Sequence, residues 1–251
     1  MIKVLKKTFD IVEFIARRGG RPVLPAEIVE EVKLNQATSI RILKDLVMLG
    51  YLEQISRQKG YVLGPMSFWI AGGKKYKDAL SRKADSFVLA CAKMSGQSVL
   101  LAVNLGTRRF IISHHNMNPR FNVDVDEPWY EDMYTTATGR MLMAHMPEKE
   151  LDALVNACGL PSAAEWPGAS SAGKLKDQLK SIKDKGIVAF RKETLFIVSY
   201  PVFRGKGFVA ALGMSVPQAD YVAKGSDFYI ECLRKTAKDI TAELSAITSI
   251  G

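Results

Sequence analysis

The first stretch of the chain that suggests chemistry is "NQATSIRILKDLVMLGYL", where Gln36, Ala37, Thr38, Ser39, Arg41 and Lys44 recur at helical spacing. Amide side chains suit adenine edges, a guanidinium suits guanine, and hydroxyls suit bases or phosphates. No carboxylate precedes Asp45 in this stretch, so nothing in its first two turns would repel a phosphate. Ala37, Arg41 and Lys44 share one helical face, with Thr38 beside them. Ile40, Leu43 and Val47 lie on another face and are expected to pack. A helix laid in the major groove presents its N-terminal half to base edges. Arg57 and Lys59, in "SRQKG", would reach phosphate or the minor groove. The competing reading is a small helical bundle with an ordinary capped helix, because polar first turns also serve capping.

The elements that must position these residues can be read from local signals. Leu5, Phe9, Val12 and Ala16 predict the buried stripe of a first helix that ends at Gly19-Gly20. Pro25 opens a second helix, with Ile28, Val29 and Val32 facing inward. Asn35 is a good N-cap for the third helix, and Gly50 a good C-terminal residue. "YLEQI" and "YVL" flank a polar turn ending in glycine, which is a hairpin pattern. Helix, helix, short turn, helix and hairpin therefore follow one another in residues 1–64, the expected DNA-binding domain.

Charge supports that placement. The chain has 251 residues and a net charge of +9. Residues 1–83 hold 16 Lys and Arg against 8 Asp and Glu, whereas residues 84–251 hold 19 against 18. Such asymmetry localises a contact with nucleic acid or a membrane surface to the first third, or marks a solvated basic face. No apolar run has the length of a membrane span, and the N-terminus lacks a signal-peptide pattern. Three scattered cysteines argue against a disulfide framework, so the cytoplasm is the expected compartment.

Pro65 and Gly72-Gly73 bracket a short apolar piece that reads as a boundary, and 65–83 is the expected linker helix region. A helix is expected over 75–95. Beyond it, "SVLLAVNLG" and "RRFIISHH" form a strand pair, and "TATGRMLMAHM", "PEKELDALVNACG" and "AGKLKDQLKSIKDKG" form helices. "IVAF", "LFIVSYPVF" and "GFVAALGMSV" are strands, the last two joined by a hairpin. One final helix is expected over about 220–249, with Leu233, Ala237, Ile240, Leu244 and Ile247 on one face. Strands joined by both hairpins and helices indicate an α+β sensor-like domain over 84–251.

Other chemistry finds little support. His114, His115 and His145, even with Cys158 or the carboxylates of "DVDEPWYED", lack the tight spacing of a zinc site. Trp129 and Tyr130 in that acidic segment would form a lid or pack. "RGKG" at 204–207 is a hairpin turn without the setting of a phosphate loop. No nucleophile-base-acid set can be picked out. The expectation is therefore a protein that is not an enzyme, with no metal and no cofactor.

The segment "KTFDIVEFIARRGG…LPAEIVEEVKLNQATSIRILKDLVMLGYLEQISRQKGYVLG" resembles the winged helix-turn-helix domain of IclR-type bacterial transcriptional regulators. "YTTATGRMLMAHMP" resembles that family's Thr-Ala-x-Gly-(Lys/Arg)-x-x-(Leu/Met)-Ala segment, and 186–217 resembles its closing strands, so nearly the whole chain is covered. The resemblance implies a GAF- or PAS-like effector-binding domain on a homodimer or homotetramer that binds a palindromic double-stranded operator. It also implies a small acid or aromatic effector between the sheet and the loops above it. The carboxylate would sit on the backbone N–H groups of Thr136, Ala137 and Thr138. An acidic effector contact corresponds to Glu193. Gln36 and Ala37 replace the family's usual basic residue and serine. Ile197 falls where cysteine is frequent, Gly213 falls where serine can occur, and Ser215 keeps its hydroxyl. These departures imply an effector with a carboxylate and an apolar or aromatic body. The alternatives are a regulator or interaction protein with a degenerate pocket, or a sensor-fold enzyme.

Overall fold

The hydrophobic pattern resolves into three buried clusters, one within residues 11–61 and two within residues 84–244. The computed structural model describes residues 2–56, 58–64, 66–67, 70, 78–105, 107–121 and 129–246. It divides into two compact units, Met1–Lys75 and Tyr76–Gly251.

In the first unit, α1 (Lys3–Arg17), α2 (Pro25–Val32) and α3 (Gln36–Met48) precede the hairpin β1 (Leu52–Ser56) and β2 (Gly60–Leu63). The core of α1 is Ile11, Phe14 and Ile15, not the expected Leu5–Phe9–Ala16 stripe. Leu5 and Phe9 are more than half exposed. The helix is apolar on two sides, and packing against α2 and β2 selects the C-terminal one. Burial of each large apolar side chain contributes roughly 1.5–3 kcal/mol. Pro25 occupies the first helical position of α2, and the amine of Lys7 donates to the carbonyl of Val32 at its end. Val23 exchanges backbone hydrogen bonds of 2.8 Å with Tyr61, which adds a short third pairing to the hairpin.

The second unit is a six-stranded antiparallel sheet between two helical layers. In chain order it comprises α4 (Asp78–Ser95), β3 (Ser98–Leu105), β4 (Arg108–Asn116), β5 (Trp129–Tyr130), α5 (Ala137–Ala144), α6 (Glu148–Cys158) and α7 (Ala172–Lys185). There follow β6 (Val188–Lys192), β7 (Leu195–Arg204), β8 (Gly207–Pro217), α8 (Gln218–Lys224) and α9 (Ser226–Ser245). The strand order is β5-β4-β3-β8-β7-β6. Alternation assigns the faces. Val99, Leu101, Val198, Leu212 and Met214 pack with α4 and α9, whereas Ala102 and Ala211 pack with α5 and α7.

One expectation changes here. The single final helix is two, because Gly225 adopts φ +82 between α8 and α9, a left-handed backbone that ends one helix and starts the next. Leu233, Ala237, Ile240 and Leu244 do line the buried face of α9; Ile247 lies outside the described residues. The linker helix is described from Asp78, and its Ala84, Val88 and Cys91 are core residues of the second unit. Cys91 and Cys232, 141 positions apart, bring their sulfurs to 3.6 Å as free thiols where α4 meets α9.

Candidate nucleic-acid interface and effector cavity

Helix α3 starts as its sequence dictates. The Asn35 side chain accepts from the Thr38 amide at 2.8 Å, and no acid occupies the first turn. Gln36, Ala37, Arg41 and Lys44 are exposed, and Thr38 is half-buried. The inward stripe is Ser39, Ile42, Leu43 and Leu46. Ser39 is therefore corrected: it is fully buried, and its hydroxyl has no partner among the described residues, so it cannot reach a nucleic acid. Ile40 is exposed rather than packed, and Val47 is only half-buried, because the inward stripe runs through Ser39, Ile42, Leu43 and Leu46. Lys59 is exposed at the hairpin tip, where its amide donates to the Ser56 hydroxyl at 3.0 Å. Arg57 lies outside the described residues.

In the second unit, a cavity of about 190 Å³ opens between the sheet and the start of α5. Thr136, Ala137, Thr138, Ile197, Gly213 and Ser215 all line it, brought together from three elements. Thr136 caps α5 by accepting from the Gly139 amide at 3.1 Å, and its own hydroxyl donates to the Asp132 carbonyl at 3.0 Å. The amides of Ala137 and Thr138 are first-turn donors with no acceptor inside the helix. A Cβ on Gly213 would come within 2.4 Å of the Thr138 Cγ2, so the missing side chain lets α5 seat on β8. The position is glycine for packing, and Thr138 fills the space a serine would take.

Glu193 is also corrected. It sits exposed in the two-residue β6–β7 turn with φ +52 and does not line the cavity. The connection is too short to fold back over the sheet.

Sequence reading missed part of the wall: Ser98, Leu100, Arg109, Ile111, Tyr130 and Asp132. Strand alternation held the available signal, since Ser98 with Leu100 and Arg109 with Ile111 occupy alternate positions on β3 and β4. Buried Arg109 forms a two-pronged pair with Asp132, at 2.8 and 2.6 Å, and lies over the Tyr130 ring at 5.2 Å. That guanidinium is thereby neutralised, and the remaining polar groups are hydroxyls and amides. The Ser98 hydroxyl is 2.9 Å from His114 Nε2. Burial, with His115 alongside, holds His114 below the usual imidazole range. The Trp129 side chain, one half of the suggested lid, lies outside the described part, while Tyr130 lines the wall.

The histidines serve separate ends. His115 Nε2 lies 3.2 Å from Asp85, and His145 stacks on Phe208 at 4.3 Å. Among the described residues no three His, Cys, Asp or Glu side chains gather as a metal site. Among them, too, no helix is long and apolar enough to cross a membrane.

Comparison with known proteins places this architecture. The family described as bacterial transcriptional regulator IclR, C-terminal, matches residues 77–242. The HTH-type transcriptional regulator BhcR of Paracoccus denitrificans is 21% identical over 218 residues, covering 86% of this chain and 77% of that protein. An IclR homologue from Microbacterium hydrocarbonoxydans, complexed with 4-hydroxybenzoate, superposes with a TM-score of 0.75 at 18% identity, covering 97% of this chain and 99% of that one. The Thermotoga maritima IclR superposes with a TM-score of 0.62 at 21% identity, covering 98% and 100%. At these identities the solved structures establish a shared fold.

Proposed function

The chain belongs to the IclR family of bacterial transcriptional regulators, and from that premise we propose a ligand-responsive DNA-binding regulator whose α3 reads operator DNA and whose α5 cavity holds a small carboxylate with an apolar or aromatic body. We divide it into a DNA-binding domain over 1–64, a linker over 65–83, and an effector-binding, oligomerising domain over 84–251. A homodimer or homotetramer in the cytoplasm would match a palindromic site.

The observation that carries the effector reading is the composition of the cavity. The cavity combines the first turn of α5, where the amides of Ala137 and Thr138 have no acceptor inside the helix, with hydroxyls and with Leu100, Ile111 and Ile197. A helix start is suited to an anion, and Arg109 is already paired with Asp132. The carboxylate is therefore expected at the α5 start, and the aliphatic wall receives the body. The 4-hydroxybenzoate of the Microbacterium protein has this chemistry and is a rational first probe. Calorimetric titration with 4-hydroxybenzoate, benzoate, glyoxylate and pyruvate tests the reading. Saturable binding of the aromatic acids in preference to the keto acids is expected, and the reverse order contradicts it.

For DNA, the supporting observation is an exposed, acid-free face on α3 with Arg41 and Lys44 free of any ion pair among the described residues. Thr38, Gln36 and Ala37 complete that face, and Lys59 would meet phosphate.

A further inference from the structure

A second cavity in the same unit, of about 510 Å³, shares no residue with the first. It lies between α7, the 164–167 loop and β6, which is the sheet's edge strand. Its size falls in the range of small-molecule sites, roughly 300–1,000 Å³.

The feature that sets it apart is Arg140 of α5, which is 8% exposed and lines the cavity. Its guanidinium lies 4.4 Å from the ring centre of Trp166 and 4.1 Å from that of Phe190. Nε donates to the Tyr134 carbonyl and Nη2 to the Glu165 carbonyl, each at 2.8 Å. A guanidinium carries five N–H donors, and these bonds use two. Among the described residues no carboxylate pairs with it. Burial lowers its pKa to about 10, which leaves it cationic at neutral pH. Carbonyl dipoles and ring faces stabilise such a charge without neutralising it, and a buried cation lacking a counter-ion is costly.

The surroundings add to the imbalance. Lys185 and Lys192 line the same cavity, are exposed, and have no ion-pair partner among the described residues. The guanidinium of Arg191 lies over Tyr221 instead. Glu165 is the one acidic side chain of the lining, and its carboxylate accepts from the Ser162 amide and hydroxyl, both at 2.8 Å. Four cationic residues, Arg191 among them, thus line a cavity whose single carboxylate is committed to its own loop, with Ile182 and Val188 supplying an apolar wall.

We propose that this cavity is a second ligand site, for a small organic anion carrying at least two negative charges. One charged group pairs with the remaining N–H groups of Arg140, and the other meets Lys185 and Lys192 at the mouth. Two-pronged guanidinium pairing supplies the specificity, and the lysines attract the anion to the opening. This site is independent of the α5 cavity reading.

The test is calorimetric titration of the full chain, at constant ionic strength, with citrate and with 3-phosphoglycerate. The two arms separate a polycarboxylate from a phosphorylated acid. Saturable binding of at least one of them, one per chain, is expected. Arg140 also supports two loops, so its removal risks misfolding; the lysine pair gives the cleaner variant. Lys185→Glu with Lys192→Glu is expected to weaken binding at least about tenfold. Lys174→Glu with Lys180→Glu changes net charge equally on α7 outside the cavity and is expected to leave it intact. Absence of saturable binding by either anion overturns the proposal. So does an equal loss in both lysine pairs.

Discussion

The α3 face and the α5 cavity solve opposite problems. On α3 the candidate contacts point outward from a helix whose stability rests on other residues, Ile42, Leu43 and Leu46. In the cavity the candidate contacts are themselves core: Ala137, Thr138 and Arg109 are buried, and Gly213 is packed against Thr138. Function and stability are therefore separable in the first unit and entangled in the second. A substitution on the DNA face should change binding alone, whereas one in the cavity should change both.

The largest expected effect comes from crossing that line in the first unit. Leu43 is fully buried, and Leu43→Ala should cost about 2–5 kcal/mol of stability, read by urea unfolding. DNA binding should be lost with it, while ligand-induced stabilisation of the second unit survives. On the exposed face, Arg41→Ala should cost about 1–3 kcal/mol of operator affinity and leave the urea midpoint unchanged. A shifted midpoint would show that the face is not separable.

In the cavity, Gly213→Ala forces the Thr138 methyl to move and should cost about 1–3 kcal/mol by overpacking. Thermal unfolding and calorimetry should report lower stability and weaker carboxylate binding together. If binding falls without any loss of stability, the entanglement is wrong.

A separate effect concerns pH. Burial, with Lys183 nearby, lowers the His145 imidazole from 6.5 to about 4. Between those values the unfolded chain holds more protons, so stability is full above pH 6.5 and is lost as pH falls through 4. His145→Phe, which keeps the stack on Phe208, should flatten that part of a urea-midpoint profile; an unchanged slope would assign it elsewhere. The smallest effect is expected at Ser39. Its hydroxyl is buried without a partner among the described residues. Ser39→Ala should therefore leave DNA affinity unchanged and raise stability by less than about 1 kcal/mol.

Local signals carried much of the first unit. Pro25, the Asn35 cap, Gly50 and the hairpin each depend on a few neighbouring residues, and each stands where its sequence points. Helix phase was less legible. Two apolar sides on α1 and a serine inside the α3 stripe leave the choice of face to tertiary packing. The break at Gly225 hides in a run that is amphipathic on both sides of it. In the cavity, the α5 start was legible because the capping threonine and its neighbours are contiguous. Arg109 and Asp132 stand 23 residues apart and meet only because β4 runs alongside the approach to α5. The Arg140 cavity draws on four segments, and no local pattern marks it.

The outward face of α3 is expected to read DNA while its inward face only packs. Fluorescence anisotropy with duplex from the protein's own promoter region, across a salt series, tests it most directly for the wild type, Arg41→Ala and Ser39→Ala. The predicted result is a steep linear fall of log affinity with log salt. That slope should be shallower by about 1 for Arg41→Ala if the contact is to phosphate, its affinity lower in either case, and both unchanged for Ser39→Ala. Indifference to the duplex at low salt, or equal losses in the two variants, would contradict it.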